Sequence, residues 1–257
     1  MNHRILNSET GSVVEFDVFC GALKFKGIIY IGEFHQIPEV SAFQADLILR
    51  LINEGFKPAI GLEMFNVLQQ EMLDYYIAGA IPFEQLSSLY AMGPEGFDLN
   101  HYIKIIEIAV KNRLKVFGLN IPRSIASAVA KHGLDKRELE CFRLDEEKIK
   151  NCGKRYREAL SGIYKKHPHD EITEENFILA QSLKDEMMAE TIAHQLAAGT
   201  AGRPFIGIAG RGHIEYGLGI PERVRRKLPE PLSAASVVVS YEDEKIETGM
   251  ADYILLI

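Results

Sequence analysis

Short apolar runs recur along this chain, each ending in a polar residue and each followed by sequence of helical period. Residues 27–33, 58–63, 114–120 and 204–209 are too short and too rich in β-favouring side chains for helices. Their apolar residues follow one another without alternation, as in strands covered on both faces. Residues 38–54 form a helix between the first two runs, with Val40, Phe43, Leu47 and Leu51 on one face, Pro38 at its start and Gly55 just past its end. Pro122 and Gly133 bracket another helix, and Thr173 caps a long one to about residue 197, with Glu174 and Glu175 in its first turn. Asn66 and Asp98 open two more, to residues 79 and 112, and residues 80–97 read as a short helix and an exposed loop. A short helix over 221–228 precedes strands at 235–241 and 253–257. Residues 1–12 read as a loose lead-in and 13–19 as an alternating edge strand. Strands alternating with helices predict an α/β fold: a mostly parallel sheet covered by helices on both faces. We expect one domain over 1–257, with 135–200 as a helical insertion between the third and fourth core strands, acting as a lid or interface.

Bulk properties narrow the function classes. A net charge of −7 argues against a general affinity for nucleic acid or anionic membrane. No apolar run reaches the length of a membrane span, and Glu9, Glu15 and Asp17 interrupt the N-terminal region where a signal-peptide core would lie. The three cysteines are scattered, without a Cys-x-x-Cys or zinc pattern, which suits a reducing compartment. The expectation is a cytoplasmic protein whose partner is a small-molecule ligand or substrate, with a homodimer as one assembly open to it.

The polar residues at the ends of the runs carry the chemistry. Glu33 and His35 follow the first, Glu63 the second, Asn120 and Arg123 the third, Arg211 and His213 the fourth. In a parallel sheet these lie on one rim, where ligands of open α/β folds bind. Glu33, His35, Glu63 and His213 could hold zinc, iron or manganese, since imidazole and carboxylate suit all three. They could equally work without metal, one group as general base and Arg123 as an anion clamp. The plainer alternatives are that Glu63 caps a turn, that Asn120 pairs with Arg123, and that each histidine makes one structural hydrogen bond. Gly210-Arg-Gly-His213 lacks the third glycine of a dinucleotide loop, and there is neither a Walker sequence nor a Gly-x-Ser-x-Gly elbow.

Gly32-Glu-Phe-His35, Gly61-Leu-Glu-Met-Phe65, Gly118-Leu-Asn-Ile-Pro-Arg123 and Ala209-Gly-Arg-Gly-His213 together resemble the ChaN-like haem-binding family, in order and spacing. So do Phe97-Asp98 with Tyr102, Met188-Ala189, Gly219-Ile-Pro221 and Ala251-Asp-Tyr253. That family belongs to a superfamily with the Tiki and TraB proteins and the erythromycin esterases. The resemblance implies an α/β fold and a site of Glu33, His35, Glu63 and His213. It implies two functions: binding haem in iron uptake, or hydrolysis of an ester or peptide bond, with a metal or with a histidine base. The lipobox cysteine and signal of lipoprotein members are absent from this sequence. Haem requires an axial ligand and an apolar slot. The strand-end cluster is rich in carboxylates, so the expected ligands lie in the helical insertion: Tyr156, Tyr164, His167 and His169.

Overall fold

The structure, a computed structural model, describes residues 3–166, 171–199 and 202–257. Two short strands, β1 (Arg4–Asn7) and β2 (Val13–Val14), precede α1 (Phe16–Leu23). Next come β3 (Ile28–Glu33), α2 (Pro38–Asn53), β4 (Ala59–Asn66), α3 (Gln70–Ile77), α4 (Phe83–Ala91), α5 (Ile103–Asn112) and β5 (Val116–Asn120). The helices α6 (Arg123–His132), α7 (Lys136–Cys141), α8 (Glu146–Lys150), α9 (Lys154–Lys166) and α10 (Glu174–Ala197) separate β5 from β6 (Phe205–Gly210). The chain closes through α11 (Ile220–Lys227), β7 (Ala234–Ser240) and β8 (Tyr253–Leu256).

All these strands join one sheet in the order β2-β1-β8-β7-β3-β6-β4-β5. It is parallel from β8 to β5, and β1 and β2 add an antiparallel edge. Successive strand residues point to opposite faces, and both faces are apolar. Ile29, Ile31, Ile60, Leu62, Ile206 and Ile208 meet α1, α2 and α5 on one side. On the other side Tyr30, Ala59, Phe205 and Ala209 meet Met188, Ala189 and Ile192 of α10 and Val224 of α11. The parallel core sheet with helices on both faces therefore stands as the residue pattern predicted.

Three local expectations change. Residues 1–12 supply β1 rather than a loose lead-in. Residues 16–23 are helical, because Phe16, Phe19, Cys20 and Leu23 recur at helical spacing and turn toward Phe43 and the core. Over so few residues a period of two and a period of 3.6 both fit, and burial of the Phe19–Leu23 face decides. Glu63 lies within β4 rather than at its end, since β4 continues to Asn66 past a register shift against β5. The segment 135–200 also divides. Through Met188, Ala189, Ile192 and Leu196, α10 is the cover of the sheet. Its flank of Leu179, Leu183 and Met187 carries Val129, Leu139 and Ile149 of α6, α7 and α8. Among the described residues no helix is long and apolar enough to cross a membrane.

The outer edge of β5 is closed by one side chain. Gln70 donates through Nε2 to Val116 O at 2.9 Å and accepts from Gly118 N at 2.9 Å, replacing the next strand and blunting an exposed edge. Gln70→Ala leaves that donor and acceptor without partners. Urea unfolding should show a loss of about 1–3 kcal/mol with an unchanged m value.

Candidate active site

The strand order decides what meets at the carboxyl rim. β6 lies between β3 and β4, with Glu33 opposite Gly210 in the β3–β6 register. His35 and His213, remote in sequence, thus leave adjacent strands. Glu63 enters from the far side of β6.

Glu33 is buried on the α2 face. Its Oε1 accepts from His35 Nδ1 at 2.8 Å and from the Tyr102 hydroxyl at 2.6 Å, and its Oε2 accepts from Gln44 Nε2 at 2.5 Å. A carboxylate can only accept, so it places the proton of neutral His35 on Nδ1 and leaves the Nε2 lone pair free. Burial, and then Glu33, push the Tyr102 phenol far up, so it remains a donor. His35 Nε2 faces Glu63 Oε2 at 3.7 Å, with 28 % of its side chain exposed at the mouth of the cleft. Phe97 stands edge-on to the ring at 4.8 Å.

Glu63 is buried, 2 % exposed, on the α10 face. Oε2 accepts from Gly210 N at 2.7 Å, and Oε1 accepts from Lys184 Nζ at 2.9 Å and from Asn120 Nδ2 at 3.5 Å. His213 Nε2 lies 3.5 Å from Oε1 and 3.2 Å from Lys184 Nζ. On its other side His213 Nδ1 meets Asp185 Oδ1 at 2.5 Å. The site therefore contains two imidazoles, each held through Nδ1 by a buried carboxylate, with their Nε2 atoms facing opposite oxygens of a third carboxylate.

The structure brings Glu33, His35, Glu63 and His213 together, but not around a common point. Among the described residues no three or more His, Cys, Asp or Glu side chains form a group that could hold a metal ion. The expected iron, manganese or zinc centre is therefore not supported by this geometry, for a physical reason. The two histidines approach different Glu63 oxygens, both Glu33 oxygens are already hydrogen-bonded, and the Lys184 ammonium stands beside Glu63 and His213 where a cation would sit. Arg123 does not reach this cluster either. Its Nη1 donates to Pro94 O at 3.3 Å and Glu95 O at 2.9 Å, fastening the loop before Phe97. Asn120 turns to Glu63 and to Ile121 N rather than to Arg123. Arg211 pairs with Glu215 and Glu244.

A family model described as "Haem-binding uptake, Tiki superfamily, ChaN" matches residues 19–224, most of the chain. The chain belongs to this ChaN family. Among solved structures, ChaN of Campylobacter jejuni, described with cofacial haem binding, superposes with a TM-score of 0.75 at 18 % identity, over 99 % of this chain and 96 % of that one. An erythromycin esterase mutant in its open conformation superposes with a TM-score of 0.53 at 16 % identity, over 94 % and 77 %. At these identities the likeness is one of fold. No curated protein matches by sequence.

The two tyrosines expected as haem ligands have hydroxyls already engaged within the protein. Tyr156 is buried, donates to Asp185 Oδ2 at 2.5 Å, and lies beneath the Arg223 guanidinium at 4.4 Å. Burial, and then Asp185, push its phenol far up, against the ionisation an iron ligand needs. Tyr164 donates to Ile172 O at 2.6 Å. His167 and His169 lie outside the described residues.

Sequence reasoning missed Lys184 and Asp185. Their signal was present: Asp185, Met188, Ala189 and Ile192 follow helical spacing, so Asp185 lies on the face that α10 buries. A carboxylate in that stripe requires a partner.

Burial disfavours charge on both Glu63 and His213. At Glu63 it is outweighed by Lys184, His213 and His35, which hold the carboxyl well below its ordinary 4.5. At His213 it is outweighed by Glu63 and Asp185, against Lys184, and the imidazole rises from 6.5 to about 9. An imidazole with a raised folded pKa adds stability that is whole below 6.5 and is lost as the pH climbs through about 9. The Glu63 contribution is present above 4.5 and is lost as the pH falls through its lower folded value. Urea unfolding should therefore show wild-type stability falling from pH 6.5 to about 9, with His213→Gln less stable at the acid end of that window and flatter across it. Parallel falls in both proteins would place the titrating group elsewhere.

Proposed function

We propose that the cleft hydrolyses an ester or peptide bond without metal, with His35 as general base. One observation carries this: Glu33 holds His35 through Nδ1 while Nε2 faces the buried Glu63 carboxylate at 3.7 Å, in a side chain that is 28 % exposed. Glu33 at Nδ1 and Glu63 opposite Nε2 flank the ring as Nε2 takes a proton from water. The water oxygen attacks the carbonyl carbon, and Lys184, with His213 behind it, supplies positive charge for the oxygen that becomes negative. When the tetrahedral adduct collapses, the bond to the leaving group breaks and His35 returns its proton to that group. An esterase shares the fold, which supports this reading without naming a substrate.

A panel of aryl esters and peptides, assayed with and without chelator, tests it. Turnover should survive chelator and should fall roughly 100- to 10,000-fold in His35→Asn. Turnover unaffected by that substitution would sink the reading.

Haem binding is the second reading, favoured by membership of the ChaN family over residues 19–224. Titration with haemin should give a saturable shift of the Soret band. Because their hydroxyls are already donors to protein acceptors, Tyr156→Phe and Tyr164→Phe should retain that shift. A spectrum that never saturates, with albumin as positive control, would remove haem from consideration.

A further inference from the structure

A second concavity takes no part in the hydrolytic reading. It is a groove of about 630 Å3 along the α11 face of the sheet, running from residues 216–218 past the start of α9 to residues 231–234. That volume lies within the range of small-molecule pockets. Tyr30, Val224, Leu228 and Leu232 line it with apolar surface.

Among the described residues, Tyr30, Arg155 and Arg225 of the same groove have no hydrogen-bond or ion-pair partner. Tyr30 is 3 % exposed, and among the described residues its hydroxyl makes no hydrogen bond. Lys154, Arg155 and Arg225 also line the groove. Among the described residues neither arginine is ion-paired, and Lys154 only approaches Glu158 at 3.7 Å. The carboxylate in the wall, Glu222, is turned to Arg226 at 4.0 Å. Gly153, at φ +83°, precedes α9 and has no side chain to cap the first N–H groups of that helix, whose positive end opens here. Positive charge gathered over an apolar floor, in a chain of net charge −7, calls for an anionic partner with an apolar body.

We infer that this groove binds an amphipathic carboxylate, its apolar body over Tyr30, Val224 and Leu232 and its carboxylates on Arg155 and Arg225. A porphyrin with propionates has this chemistry, as does an acyl carboxylate; the porphyrin assignment rests on the haem reading above. The groove's one phenol without a hydrogen bond among the described residues, Tyr30, is pushed far up by burial, against the ionisation an iron ligand needs. The Tyr216 hydroxyl donates to Glu247 at 3.0 Å, and burial with that bond pushes its phenol up to about 12. Cys152 is buried, and burial raises its thiol. Binding here should depend on carboxylates and apolar surface, not on metal.

Three probes separate the outcomes: protoporphyrin IX without metal, haemin, and oleate. Each is titrated against the wild type, the double variant Arg155→Glu/Arg225→Glu, and His35→Asn. We expect protoporphyrin and haemin to bind the wild type within about threefold of each other. The double variant should weaken both at least about tenfold through loss of two charge-assisted contacts, while His35→Asn changes neither. Porphyrin binding unchanged in the double variant overturns the inference and leaves the haem reading standing elsewhere on the chain. Binding of haemin alone overturns it as well, because iron ligation would then carry the affinity. If neither porphyrin binds, the haem reading fails. Oleate binding that disappears in the double variant would then retain the groove as an acyl-carboxylate site, and no binding of any probe would overturn it.

Discussion

A carboxylate buried at 2 % exposure keeps its charge only if the surroundings supply what water would have supplied. Glu63 is that group, and much of the molecule is arranged around it. The Gly210 amide, the Lys184 ammonium and the Asn120 amide reach its two oxygens from β6, α10 and the end of β5. Each of these is fixed in turn by something larger. Gly210 is placed by a central strand, and Lys184 by a helix whose next turns are locked to the sheet through Met188 and Ile192. An anion held in this way lowers the energy of positive charge nearby, which is how a general-base imidazole benefits when it takes up a proton.

Two glycines show how tightly the rim is drawn. A Cβ on Gly210 would stand 2.9 Å from His35 Nε2, so any side chain there would displace the imidazole that faces the cleft. A Cβ on Gly219 would stand 2.3 Å from His213 O and 2.9 Å from Asp185 Oδ2, so the turn after His213 must be bare to pass the carboxylate that orients it. Gly212 meets only Ile163 Cδ1, at 4.0 Å. The two glycines of Gly210-Arg-Gly-His213 thus do different work, and close approach demands only the first.

The parallel sheet and the polar residues that follow its apolar runs were legible because both rest on local signals: runs of β-branched residues, helix caps, and polar residues directly after apolar ones; that β4 runs on past Glu63 was not. The family was legible for the same reason, since Gly32-Glu-Phe-His35 and Gly210-Arg-Gly-His213 are contiguous. What could not be read depends on strand order and helix rotation. Nothing local says that β6 inserts between β3 and β4, or which face of α10 points at Glu63, so Lys184 was invisible as the neighbouring cation and a metal took its place in the reasoning. Tyr156 and Tyr164 looked free because a sequence does not show that Asp185 and the Ile172 carbonyl already accept from them. Arg123 followed a polar strand end like the others, yet its length carries it away to the Pro94 and Glu95 carbonyls.

The two imidazoles are built alike and placed differently, and under the proposed hydrolysis that difference would divide their tasks. Asp185 holds His213 as Glu33 holds His35, but His213 is buried between two carboxylates and a lysine, and it carries its proton to about pH 9. An imidazole already charged at neutral pH cannot take a proton from water, yet it can donate to an oxygen that gains negative charge. His35 is partly exposed to solvent, with Glu33 at Nδ1 and Glu63 facing Nε2. A general base must be reachable by water and able to change charge, whereas an electrostatic stabiliser must be dry and keep its charge. Burial therefore distinguishes two otherwise similar carboxylate–histidine pairs, and in the proposed hydrolysis Glu63 between them is the anion that both would require.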